Sequence, residues 1–229
     1  MKMAKGIFIT ATGTDIGKTY VTALLIKKLQ SEGVTAGYYK AALSGVDLTE
    51  KTKETAENDA DYVNRTANIG QTKGTLCSYY YSPSVSPHLA AQLCGNPAEL
   101  SKILFDYHKM RESYDYVTVE GSGGAVCPIR WDHTAHILLE DVIQAMQLNT
   151  IIVAEAGLGT INAVTLTAEY LKNRGIGIKG VILNRYSGGV MQEDNIVMIE
   201  AIAKLPVLAL VREHAKEIEL SAEEIKKLY

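Results

Sequence analysis

The sequence predicts an α/β fold built on a mostly parallel β-sheet with helices on both faces. Three observations carry this. Strand-like and helix-like segments alternate along all 229 residues, the pattern of βαβ units. Several strand-like runs, such as Thr150 to Ala154, are continuously apolar, as strands covered on both faces must be. And the chain opens with a strand, a loop of small residues and a helix in direct succession. The length fits one domain spanning residues 1–229.

Taken in order, Gly6 to Thr10 reads as the first buried strand and Val21 to Gln30 as the first helix, stopped by Ser31-Glu-Gly33. Val34 to Tyr39 is the second strand, ending at Lys40. Ser44 to Asn58 is polar and reads as a long surface loop, the kind that is often functional. Asp59 to Asn64 begins a short helix, and Leu76 to Tyr81 is an aromatic edge strand. Ser86-Pro-His88 starts a helix, with Ser suited to the cap and Pro to the first turn. Asn96-Pro97 starts another that runs to Arg111. Tyr114 to Glu120 is a strand, Ala135 to Met146 an amphipathic helix, and Thr150 to Ala154 a strand. A helix follows to about Arg174. Lys179 to Asn184, Asp194 to Ala203 and Pro206 to Val211 read as strand, helix and strand. Ser221-Ala-Glu-Glu224 has capping-box spacing before a last helical turn.

The bulk numbers exclude several classes. Hydrophobic residues make up 47% and charged residues 21%, and the net charge of -3 is too mild for a nucleic-acid surface. No apolar run reaches membrane-helix length. Cys77, Cys94 and Cys127 are odd in number and widely spaced, which argues against disulfide or zinc scaffolds and for a reducing cytoplasm. Met1 to Lys5 leads straight into the first strand, leaving no room for a signal peptide.

The chemistry gathers around Thr10-Ala-Thr-Gly-Thr-Asp-Ile-Gly-Lys-Thr19. Small residues let backbone N–H groups turn inward around phosphates, and the following helix adds its N-terminal dipole. The strand, the loop, Gly-Lys-Thr and the helix predict a P-loop NTPase-like site. Lys18 would reach the terminal phosphates, and the Thr19 hydroxyl would hold Mg²⁺. The first glycine of the consensus falls on Thr12. Ligands of such sheets bind beyond the carboxyl ends of the strands, so Lys40, Glu120 and Asn184, each read at a strand end, should share that rim. Glu120, followed by Gly121-Ser-Gly-Gly124, suits a Mg²⁺ ligand. Asp59 and Asp61 are equal candidates for a second carboxylate, or a helix cap. Lys40 is a charge neutraliser or a solvated lysine. Gly157-Leu-Gly-Thr-Ile-Asn162 is an anion site at a helix N-terminus or a plain connection. Asn184 pairs with a base or simply turns the chain. His133 and His136 read as helix-start and surface histidines, Tyr79 to Tyr81 as packing, and Cys127 as an unreactive thiol.

Several of these motifs together resemble the dethiobiotin synthetase family. Ala11-Thr-Gly-Thr-Asp-Ile-Gly-Lys-Thr19 matches its opening loop, with Ala11 in place of a glycine and Gly13 in place of an aspartate. Lys40-Ala-Ala-Leu-Ser-Gly45, Asn58-Asp-Ala60, Ser86-Pro-His88, Val119-Glu-Gly-Ser-Gly-Gly124, Gly159-Thr-Ile-Asn162 and Asn184 follow in the family's order. Leu210-Val-Arg-Glu213 stands where the family has a Pro-bearing adenine segment. The resemblance selects Asp59 over Asp61. It implies ATP contacts from Asp15, Ile16, Gly17, Lys18, Thr19, Tyr20, Asp59, Glu120, Gly121, Ser122, Gly123 and Asn184, with Mg²⁺ on Thr19, Asp59 and Glu120. Lys18 and Lys40 would be catalytic, and Ser44, Gly159, Thr160 and Asn162 would contact substrate. The implied reaction joins 7,8-diaminononanoate and CO2 (or bicarbonate) with ATP to give dethiobiotin, ADP and phosphate in biotin biosynthesis. The implied assembly is a homodimer with the substrate site at its interface. A partition- or nitrogenase-type ATPase switch is the rival reading, but such proteins carry a second lysine where Gly13 stands.

Overall fold

A computed structural model describes residues 4–47 and 57–229. The first strand, β1 (Lys5–Ala11), puts Ile7 and Ile9 on one face and Phe8 on the other, all buried. That two-sided burial is why the run is apolar rather than alternating. The first helix, α1 (Lys18–Ser31), begins earlier than its apolar periodicity suggests, because Gly17 takes a left-handed conformation (φ 95°) and turns the loop directly into the helix at Lys18.

The next strand, β2 (Ala36–Ser44), overturns one expectation. It runs through Lys40 instead of ending there, since Ala41-Ala-Leu43 continue the buried run and pair with the next strand. The chain continues through α2 (Asp59–Thr66), the single turn α3 (Lys73–Leu76) and β3 (Cys77–Tyr81). The predicted 44–58 loop lies largely in residues 48–56, outside the described residues. Asn58, not Asp59, caps α2: its side chain accepts from the Asp61 N–H. The helix α4 (Pro87–Leu93) has Pro87 at its first position, but the Ser86 hydroxyl makes no capping bond. The helix α5 (Leu100–Arg111) starts after the Asn96-Pro97 signal, and β4 (Tyr116–Glu120) follows.

The stretch expected to open a long helix at Ala135 is instead a hairpin, β5 (Pro128–Trp131) and β6 (His136–Leu138), leading into a short helix α6 (Leu139–Met146). Trp131 and His136 stack across it, with ring centroids 4.0 Å apart, and Asp132 accepts the Thr134 and Ala135 N–H groups in its turn. His133 and His136 are therefore hairpin residues rather than helix-start residues. The remaining elements alternate as predicted: β7 (Thr150–Glu155), α7 (Thr160–Asn173), β8 (Ile178–Asn184), α8 (Val190–Ala203), β9 (Val207–Val211) and α9 (Ala222–Leu228). The Ser221–Glu224 capping box forms as its spacing implies.

Among the described residues, seven strands make one parallel sheet in the order β3-β2-β4-β1-β7-β8-β9, with β3 at an edge. One apolar cluster packs α1, α2 and α9 against one face, and a second packs α4 to α8 against the other. The chain leaves β1 toward one side of the sheet and later returns to the other, so β1 with its neighbours β4 and β7 lies at the topological switch point. In such sheets a ligand crevice opens there.

Candidate active site

A cleft of about 880 Å³ opens beyond the carboxyl ends of β1, β2 and β4. Its floor is the loop from Thr12 to Gly17. Two backbone facts shape that loop. Gly17 needs its positive φ, and a Cβ there would collide with Asn184 Nδ2. Asn184, buried at the end of β8, donates to the Ile16 carbonyl at 2.8 Å. Its amide thus braces the loop from behind, a contact that neither the turn reading nor the base-pairing reading contained. Lys18, at the first position of α1, donates to the Gly13 carbonyl at 3.3 Å. Burial pulls the Lys18 pKa below the ordinary lysine value, and nearby Lys40 adds to the effect against the pull of Glu120.

Opposite the loop lies a tight charged cluster. β2 pairs with β4 so that Lys40 stands beside Glu120. Glu120 is 1% exposed, yet three donors reach it: Thr19 Oγ1 at 2.7 Å, Lys40 Nζ at 2.9 Å and Tyr38 Oη at 3.0 Å. Lys40, 3% exposed, also donates to Asp59 Oδ2 at 2.6 Å. Burial opposes the Lys40 charge, but the carboxylates of Glu120 and Asp59 outweigh it and hold the ammonium above the ordinary lysine pKa. Burial likewise opposes the Asp59 carboxylate, and Lys40 prevails, keeping it below the ordinary value. Burial and the Glu120 charge raise the Tyr38 phenol far out of its range, so it stays protonated and donates to Glu120.

Thr19, Asp59 and Glu120 supply a hydroxyl and two carboxylates, the hard oxygen donors Mg²⁺ prefers. Here the Lys40 ammonium is the cation those carboxylates share. That donor chemistry suits a magnesium ion.

Of the other expected residues, Asp15, Gly17, Tyr20, Ser44, Ser122 and Gly123 line the cleft. Ser122 Oγ donates to the Ala42 carbonyl at 2.7 Å, tying the loop after β4 to β2. The turn 157–162 does not line this cleft. α7 begins at Thr160, inside that turn, and Thr160 Oγ1 is buried with no partner among the described residues. Cys127 lines the cleft, but burial pushes its thiol up to about 11, so it is unreactive as expected. Sequence reasoning missed Tyr38 and Arg185. The former looks like any strand tyrosine until β4 is set beside β2. Arg185 carries no local signal beyond following Asn184.

Sheet order, phosphate-type loop and buried Lys–carboxylate cluster together define a P-loop nucleotide-binding protein. Comparison with known proteins agrees. A family model described as an AAA domain matches residues 5–218. The solved MinC:MinD cell division protein complex of Aquifex aeolicus superposes with a TM-score of 0.57 at 15% identity, over 93% of this chain and 83% of that one. A ParA family ATPase from Chlorobium tepidum superposes at 0.55 with 18% identity, over 92% and 84%. These likenesses concern the fold. The sequence relatives are more specific. The ATP-dependent dethiobiotin synthetase BioD of Brachyspira hyodysenteriae is 46% identical over 91% of this chain and 92% of its own. That of Clostridium botulinum strain Alaska E43 is 42% identical over 99% of both. The chain belongs to the dethiobiotin synthetase family.

Proposed function

We propose that this chain catalyses the ATP-dependent closure of 7,8-diaminononanoate and CO2 to dethiobiotin, with release of ADP and phosphate, and that residues 1–229 act as one synthetase domain. The observation that carries the reading is the buried cluster in which Glu120 joins Thr19 of the phosphate loop to Lys40 of β2. A switch ATPase is the weaker reading, because Gly13 occupies the place of its second lysine.

The chemistry asks for charge neutralisation and positioning more than for a strong base. One amine nitrogen bonds to the CO2 carbon and loses a proton, giving a carbamate. A carbamate oxygen then attacks the γ-phosphorus and ADP leaves. The second amine attacks the carbamoyl carbon of the mixed anhydride, closing the ring and expelling phosphate. In this reading the loop N–H groups and Lys18 hold the phosphates. Lys40, kept cationic by its two carboxylates, offsets the charge on carbamate and γ-phosphate. Ser44, on the cleft wall, orients the diamine. Thr19, Asp59 and Glu120 would hold Mg²⁺, which when bound neutralises phosphate charge.

The substrate's far carboxylate is read at Gly159, Thr160 and Asn162. Because that turn lies outside this chain's own cleft, a second copy must supply it. Leu158, Leu166, Val190, Met191 and Val197 are exposed on and beside α7 and α8, which supports pairing through that face. Three unpaired cysteines fit a reducing cytoplasm, and among the described residues no helix is long and apolar enough to cross a membrane. The test is coupled ADP release with and without diamine and bicarbonate. Turnover that requires both is the expected result; ATP hydrolysis indifferent to the diamine would favour the switch.

A further inference from the structure

Arg185 is an arginine in left-handed backbone (φ 55°), a conformation that is costly for a side chain with a Cβ. It follows Asn184 at the end of β8 and lines the cleft. Its Nη2 donates to the Asp15 carbonyl at 2.9 Å, and its Nη1 reaches Glu155 Oε1 at 3.2 Å. Asp15 is itself left-handed (φ 59°). Asn184 meanwhile donates to the next carbonyl, that of Ile16. Two consecutive loop carbonyls are therefore held by two consecutive side chains at the end of β8.

Among the described residues the peptide bonds are all trans, and in a trans peptide the C=O and the following N–H point in opposite directions. Holding the Asp15 carbonyl against Arg185 turns the Ile16 N–H away from that side chain. Holding the Ile16 carbonyl against Asn184 does the same for the Gly17 N–H. Left alone, these peptides could flip and offer a carbonyl to an anion. We propose that Arg185, anchored by Glu155, is a positioning residue that presets the Ile16 N–H as a donor to the nucleotide's phosphates. This rests on the reading of the loop as an ATP site. A direct phosphate contact by Arg185 is the competing arrangement, and the two differ in which nucleotide they affect.

The test uses full-length wild type, Arg185→Ala, Arg185→Lys and Glu155→Gln. With the loop preset lost, Arg185→Ala should bind ATP and ADP more weakly by the same factor, about tenfold, the worth of one donor hydrogen bond. Its kcat at saturating ATP should stay near wild type, so the loss appears in KM. Arg185→Lys, which keeps one donor for the Asp15 carbonyl, should recover most of the affinity, and Glu155→Gln should fall between. In nucleotide-free protein the Ile16 backbone 15N resonance should shift in Arg185→Ala while that of Gly17 stays, since Asn184 is intact. That signal separates the proposal from the ATP reading: failure of wild type to bind ATP would sink the latter alone. An unmoved Ile16 resonance, or loss of ATP but not ADP binding, would overturn the positioning role.

Discussion

Replacing Glu120 by Gln tests the centre of the site with little change of shape. The amide oxygen can keep the Thr19 and Lys40 bonds at Oε1, and Tyr38, able to donate or accept, can turn to meet the new NH2. What is lost is one charge. Lys18, Lys40, Asp59 and Glu120 sum to zero; the variant's site carries +1. Breaking a buried ion pair costs about 3–5 kcal/mol. Lys40 keeps Asp59 at 2.6 Å, but that carboxylate is 44% exposed and a weaker partner. We therefore expect a loss of about 2–3 kcal/mol, below the full range for a pair broken outright, and a melting point lower by about 5–10 °C for a chain of this size. The pH dependence follows from the raised Lys40 pKa. Stability from a cation so held is fully present below the ordinary lysine value of 10.5 and is lost only as pH climbs through the higher folded value. The gap between variant and wild type should hold across neutral pH and close only in strong alkali. ATP without metal should bind at least as tightly to the variant, because its site is more positive. Mg²⁺-dependent turnover should fall about a hundredfold, some 2.7 kcal/mol in the barrier. Thermal melts, isothermal titration with and without Mg²⁺, and the coupled ADP assay give the three numbers. Wild-type turnover at limiting Mg²⁺ would remove Glu120 from the site, and an unchanged melting point would refute the ion-pair reasoning.

Lys40→Gln should lower kcat while leaving the ATP dissociation constant nearly unchanged, because the loop and Lys18 carry that binding; the reverse pattern in steady-state kinetics would deny Lys40 its role in the transition state. Thr160→Val removes a buried hydroxyl that has no partner among the described residues, so stability should hold or rise slightly. If the turn reads the substrate's carboxylate, Thr160→Val and Asn162→Ala should weaken diamine binding but not ATP binding, and the advantage of the acid over its methyl ester should shrink. An acid advantage in Asn162→Ala equal to that in wild type would clear Asn162 of that role. Arg130 and two backbone N–H groups depress the Asp132 carboxyl to about 2 from 3.8. Its stabilisation is fully present above the unfolded value and lost as pH falls through the folded value, so the wild-type advantage over Asp132→Asn in denaturant melts should be flat above about pH 5 and gone only near about pH 1.

The sequence by itself determined the layers and the loop. Continuous apolar runs can only be strands buried on both faces. Gly17-Lys18-Thr19 between strand and helix has one common physical use, and Glu120 at the end of an apolar run had to fall on the ligand rim. The Ser221 capping box is local chemistry and was legible for that reason. The helix expected from Ala135 starts instead as the hairpin strand 136–138: Ile137, Leu139 and Val142 share helical spacing, while the hairpin's determinants are the Trp131–His136 stack and the Arg130–Asp132 ion pair, which exist only once the chain has turned. Lys40 looked like a strand-end lysine because a charge usually ends a buried run. It lies mid-strand because β4, from far along the chain, inserts between β2 and β1 and brings Glu120 alongside to neutralise it. The same distance in sequence hid Tyr38 behind Glu120, and Asn184 and Arg185 behind the loop. Local propensity governs elements, but a buried charge is tolerated only where its partner arrives, and sheet order, which no local pattern encodes, decides that.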